Sequence, residues 1–105
     1  MIEVEKISGI GEWGKHEEKD GDFTREVYTL PNGKAFLVVR AKTYEVRCDN
    51  KLARKLREDY ESVMESRYFG KNGIEIVPSG QLEAAEIEDL VRLSYNLTQE
   101  LGEDV

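Results

Sequence analysis

The sequence predicts an α+β fold, an antiparallel β-sheet (a meander) with two main helices packed on one face. Two observations carry this expectation. Short runs rich in β-branched and aromatic residues succeed one another in the first half of the chain, divided by turn residues. Two longer stretches in the second half space their apolar residues at three and four. The chain has 105 residues, the size of one domain, taken here as 1–105.

Residues 2–7 alternate apolar and charged side chains and predict a short half-buried strand. Residues 8–14 include Gly9, Gly11 and Gly14, so a turn or irregular strand is expected there. Residues 15–22 have no apolar member and predict a solvated loop or hairpin tip. Segment 1–23 is thus a divergent strand and loop segment. Three strands are expected next, at 24–30, 35–40 and 43–48, with Pro31-Asn32-Gly33-Lys34 as a hairpin turn. In the third strand Tyr44, Val46 and Cys48 share one face, and Glu45 and Arg47 take the other.

Asp49 and Asn50 offer an N-cap. The stripe Leu52, Ala53, Leu56, Tyr60, Val63 and Met64 then predicts a helix face. Residues 66–73 read as a loop, 74–77 as a short strand closed by Pro78-Ser79-Gly80, and about 83–101 as the last helix, ended by Gly102. Ile87, Leu90, Val91, Ser94, Leu97 and Leu101 form its buried stripe.

The net charge is −7, which argues against indiscriminate binding to nucleic acid or anionic lipid. The charge is uneven. Residues 40–72 carry nine basic and six acidic groups, net +3, whereas residues 73–105 carry one and eight, net −7. The single cysteine, Cys48, excludes a disulfide within the chain and suits a reducing compartment. With no leader-like start and no long apolar run, a cytoplasmic protein without membrane contact is expected.

The lone histidine, His16, lies among charged residues with no nucleophile or orienting group beside it in sequence, so an enzyme is not expected. One histidine and one distant cysteine cannot build a zinc site, and Asp20-Gly21-Asp22 is too short for a calcium loop. No metal or cofactor is expected. The most suggestive segment is 66–73, where Arg67 and Lys71 could neutralise phosphate and Tyr68 and Phe69 could stack on bases. The same segment also reads as a plain connector in which Phe69 plugs the core. Lys51, Arg54, Lys55 and Arg57 could steer an anionic partner or simply form a solvated helix face.

From residue 34 onward the chain resembles the MmcQ/YjbR family of small bacterial proteins. The resemblance rests on Lys34-Ala35-Phe36, Val46-Arg47-Cys48-Asp49, the run from Leu52 to Tyr60, Ser66-Arg67 with Lys71, and the run from Leu90 to Tyr95. It covers about residues 34–97 and implies a YjbR-like fold, related to the secretion-chaperone fold. The family's opening amphipathic helix has no counterpart in residues 1–23, and its His-Trp pair is replaced by Gly73 and Ile74. Family members are commonly labelled DNA-binding through strand-and-loop wings. The resemblance therefore implies contacts at the hairpin bearing Lys34 and at the loop bearing Arg67, Tyr68 and Lys71. Lys51 and Lys55 extend that set along the first helix. The expected function is a non-enzymatic binding module, a monomer whose partner is nucleic acid. The alternative is a protein-interaction module, chaperone- or adaptor-like, with no nucleic-acid contact.

Overall fold

The structure is a computed structural model that describes residues 2–102. A 3-10 turn, Val4–Lys6, precedes strands β1 (Gly14–Asp20), β2 (Phe23–Thr29), β3 (Ala35–Val39) and β4 (Tyr44–Arg47). Helix α1 (Asn50–Asp59) follows, then β5 (Val63–Ser66), β6 (Gly70–Ile76) and helix α2 (Ala84–Leu101). The six strands form one antiparallel sheet in the order β1-β2-β3-β4-β6-β5. β2, β3 and β4 make the expected meander, and β1 extends it by one strand. The chain then crosses through α1 to the far edge and returns, so β6 inserts between β4 and β5.

Both helices lie on one face. α2 packs on β3 and β4, and α1 packs on β5 and β6. Their stripes meet Phe36, Leu37, Val46, Ile74 and Ile76 in the main core. A bulge makes β3 unusually apolar on that side. Tyr28 stands opposite Leu37 and Thr29 opposite Ala35, so Phe36 is the extra residue. Phe36 and Leu37 therefore both turn inward, while Ala35 and Val38 join Val27 in a second cluster on the opposite face.

The bulge leaves a gap in the ladder between β3 and β4, and α2 fills it. The Arg47 N–H donates to Ser94 Oγ at 2.8 Å, and that hydroxyl donates to the Phe36 carbonyl at 2.6 Å. A side chain thus stands in for a strand-to-strand bond.

Three expectations are corrected. Residues 2–7 form no strand, and Val4 and Ile7 are instead tucked into the core around the 3-10 turn. Of residues 15–22 only Gly21 and Asp22 form the expected hairpin tip, and the rest are paired with β2. Pairing alone makes that strand, so it carries no hydrophobic signature. Helix α1 ends at Asp59, and Val63 and Met64, which continue its apolar spacing, belong to β5. Segment 66–73 is correspondingly short as a loop, because β6 begins at Gly70.

Candidate functional site

The face of the sheet away from the helices carries the chemistry, and residues 66–70 fold over it. Tyr68 and Phe69 pack on Val27, Ala35 and Val38. Glu45 holds this loop down. It points to the helix-free face, as the strand alternation predicts, yet it is fully buried. One carboxylate oxygen accepts Ser66 Oγ–H at 2.7 Å and the Tyr68 N–H at 2.9 Å, and the other accepts Arg40 Nε–H. A buried carboxylate is tolerated when such donors replace its water. Gly73 lets the loop lie close. A Cβ there would stand 2.5 Å from Phe69 Cβ and 2.7 Å from the Val46 carbonyl oxygen.

Two ends of this face differ in charge. At the end near the β1–β2 and β3–β4 turns, every arginine is bound to a carboxylate. Arg40 bridges Glu45 and Asp20, Arg25 meets Glu18 at 2.9 Å, and Arg67 meets Glu75 through two nitrogens at 3.0 and 2.6 Å. Burial works to raise the Glu75 carboxyl, but Arg67 and Thr43 outweigh it, so Glu75 lies below the ordinary carboxylate value. The hydrogen bond from Arg40 likewise holds Asp20 low. A cleft of about 580 Å³ opens here between Asp20, Phe23, Arg40, Lys42 and Arg67. Phe23 stands on its rim, 75% exposed.

The other end collects cations that lack such partners. Arg47 pairs with Gly73 across the sheet, and its Nε–H donates to the Ala35 carbonyl at 2.8 Å. Its guanidinium lies 4.7 Å above the Phe69 ring, and burial pulls its pKa down. The Asn50 amide donates to the Lys71 carbonyl at 3.4 Å, which brings the start of α1 to the start of β6. Lys51 and Arg54 follow on the first turns of α1, at the same end of the sheet but on its helix side. Among the described residues no carboxylate lies within ion-pair distance of Arg47, Lys51, Arg54 or Lys71.

The residues singled out by sequence are thus divided. Lys51 and Lys71 share the cationic end, and Lys34 precedes Ala35, whose carbonyl Arg47 holds. Arg67 points the other way, to Glu75, four residues or about 13 Å along β6 from Lys71. The single patch expected of Lys34, Arg67 and Lys71 does not form, because Glu75 captures the Arg67 guanidinium. Tyr68 has Arg25 4.9 Å from its ring centre and Phe69 edge-on at 5.0 Å, so its stacking face is already covered. Lys55 meets Asp59 at 3.4 Å on the exposed side of α1.

Sequence reasoning passed over Glu45, Glu75 and Arg40. Glutamates on alternating strand positions read as solvent-facing, and only the fold-back of the loop buries them. Cys48 is buried, and burial pushes its thiol up to about 11, which keeps it from being a nucleophile at neutral pH. His16 is exposed and meets Glu18 Oε2 at 2.8 Å. Trp13 is partly buried against Tyr28, at 5.3 Å between ring centres. Among the described residues no cluster of histidine, cysteine and acidic side chains could hold a metal ion, and no helix is long and apolar enough to cross a membrane.

No known sequence family matches the chain, and no curated protein matches it in sequence. A solved structure does match. It is protein DR2400 of Deinococcus radiodurans, described as a DUF419 domain, with a TM-score of 0.71 at 17% identity. The match covers 86% of this chain and 72% of that one. At that identity the likeness is one of fold. The chain has the fold of a DUF419 domain, a YjbR/MmcQ-like family, which is the α+β architecture that the sequence led us to expect.

Proposed function

We propose that the chain is a non-enzymatic binding module that contacts nucleic acid with the cationic end of its sheet, through Arg47, Lys51, Arg54 and Lys71. The supporting observation is that these four cations have no carboxylate partner among the described residues, whereas Arg25, Arg40 and Arg67 are each committed to one. A cation already bound to a carboxylate offers a phosphate little. An uncommitted one releases counterions when it binds. The net charge of −7 opposes approach to a polyanion, so binding is expected to be weak and confined to low salt.

Fluorescence anisotropy with a labelled duplex, titrated at several salt concentrations, tests this. Four phosphate contacts give a slope of log affinity against log salt of about −3.6. The Lys51→Glu, Lys71→Glu double variant should lose binding while keeping its fold. A slope near zero, or a double variant that binds as well as the parent, would sink the proposal.

Phe23 supports a second reading, as a protein-interaction module. An aromatic ring 75% exposed beside a cleft is an anchor of the kind that proteins bury against partners. Here a defined partner should be retained after nuclease treatment and lost from the Phe23→Ser variant.

A further inference from the structure

We propose that β1 is a self-pairing edge: two copies of this chain join by antiparallel β1–β1 pairing about a two-fold axis at His16. β1 is laddered to β2 along its whole length and packs closely on no other element. Its outer edge is open. The opposite edge of the sheet is unlike it, because β5 has only four residues and its ladder with β6 is bulged. β1 has seven residues, no proline and no bulge, so it is the straight edge on which another strand can dock.

The turn fixes which backbone groups face outward. Gly21 has a φ of +65°, and with Asp22 it forms a two-residue turn that makes Asp20 and Phe23 a hydrogen-bonded closing pair. Alternation then turns the backbones of Glu18 and His16 toward β2. The N–H and C=O groups of Lys15, Glu17 and Lys19 face outward, and a second β1 must bond to these.

Charge selects the register. Full overlap would oppose Lys15 to Lys19 and Glu17 to its own copy, and like charges directly opposite are destabilising. A shift toward the turn opposes Glu17 to Lys19 but Glu18 to itself. A shift the other way opposes Lys15 to Glu17 twice, Gly14 to Glu18, and His16 to His16. Over the overlapping stretch 14–18 this last register opposes no two carboxylates and no two amines. It also explains a strand of charged and polar residues that buries no apolar side chain of its own. The pairing closes on itself, because each copy has one such edge, so it yields a dimer and not a fibre.

Sedimentation equilibrium of the full chain, from about 1 μM to about 1 mM, should show the mass moving from one chain to two. Lys15 also meets Glu26 of its own chain at 3.1 Å in an exposed pair, so the Lys15→Glu variant should stay monomeric with a melt lowered only by the small amount such a pair is worth. Adding Glu17→Lys should restore the dimer, since the pair is then reversed. Under mild oxidation His16→Cys should cross-link to its own copy much faster than Glu18→Cys or a distant control, Glu65→Cys. A one-chain mass at every concentration overturns the proposal and leaves the edge to solvent or a foreign strand. Cross-linking fastest at position 18 overturns the register. Neither outcome bears on the nucleic-acid proposal, whose residues lie at α1, β4 and β6.

Discussion

At the turn end of the helix-free face, Arg25, Arg40 and Arg67 are locked to Glu18, Asp20, Glu45 and Glu75. At the other end of the sheet Arg47 and Lys71, and Lys51 and Arg54 at the start of α1 on the helix side, have no such partners among the described residues. The same residue types therefore do different work. At one end charge is spent on holding a loop to a sheet. At the other no carboxylate among the described residues holds it. A basic composition says nothing about binding until each cation's partner is known.

The residues that hold the loop and the ladder, more than the exposed cations, should be sensitive to mutation. Glu45→Ala removes the acceptor for three donors and leaves Arg40 without its buried partner. A loss of about 3–5 kcal/mol in denaturant-induced unfolding is expected. A loss below about 1 kcal/mol would mean that Glu45 does not anchor the loop. Gly73→Ala should follow, at about 2–3 kcal/mol, because its methyl group meets backbone as well as Phe69. Ser94→Ala should lose about 1–2 kcal/mol by stranding the Arg47 N–H and the Phe36 carbonyl.

These effects mark how far the sequence is legible. The three strands from residue 24 to 48, the capped start of α1 and the extent of α2 are all local patterns, and all are present. Of the expected α2 stripe, Ile87, Val91 and Ser94 are buried, Leu90 and Leu97 are half-buried and Leu101 is exposed, while Tyr95 and Thr98 are buried in addition. β1 is not local. Its residues, from Gly14 to Asp20, acquire strand form only from β2, so periodicity could not reveal it. Val63 and Met64 fit a helical stripe by spacing, and β6 overrides that spacing by pairing with them. The site was legible in its residue types but not in its pairings. Arg67 looks available in sequence and is bound to Glu75, eight positions away across a hairpin. Lys51 and Lys71 are twenty positions apart and meet through Asn50.

Acid should separate the two ends. Glu75, Glu18 and Asp20 titrate below their ordinary values in the folded protein. Their contribution is complete above the ordinary carboxylate range, near 4.5 for glutamate, and is lost as pH falls through the lowered folded values. The loop next to Tyr68 is tied down through Arg67 and Glu75, so the protection of the Tyr68 amide, taken relative to its intrinsic exchange rate at each pH, should fall at the acid end of that window before the helices unfold. Simultaneous loss of the loop and the helices would argue against a separately held loop. The smallest effect on stability should come from Lys51→Gln and Lys71→Gln, within about 0.5 kcal/mol.

The central claim is that the two ends divide stability from binding, and Arg67→Gln beside Lys71→Gln tests it most directly. Each pair of measurements is a denaturant midpoint and an anisotropy titration at low salt. Arg67→Gln should lower stability by about 1–2 kcal/mol, a half-exposed pair being worth less than a buried one, and leave nucleic-acid affinity unchanged. Lys71→Gln should weaken binding several-fold and leave the midpoint in place. Binding lost in Arg67→Gln and kept in Lys71→Gln would contradict the account.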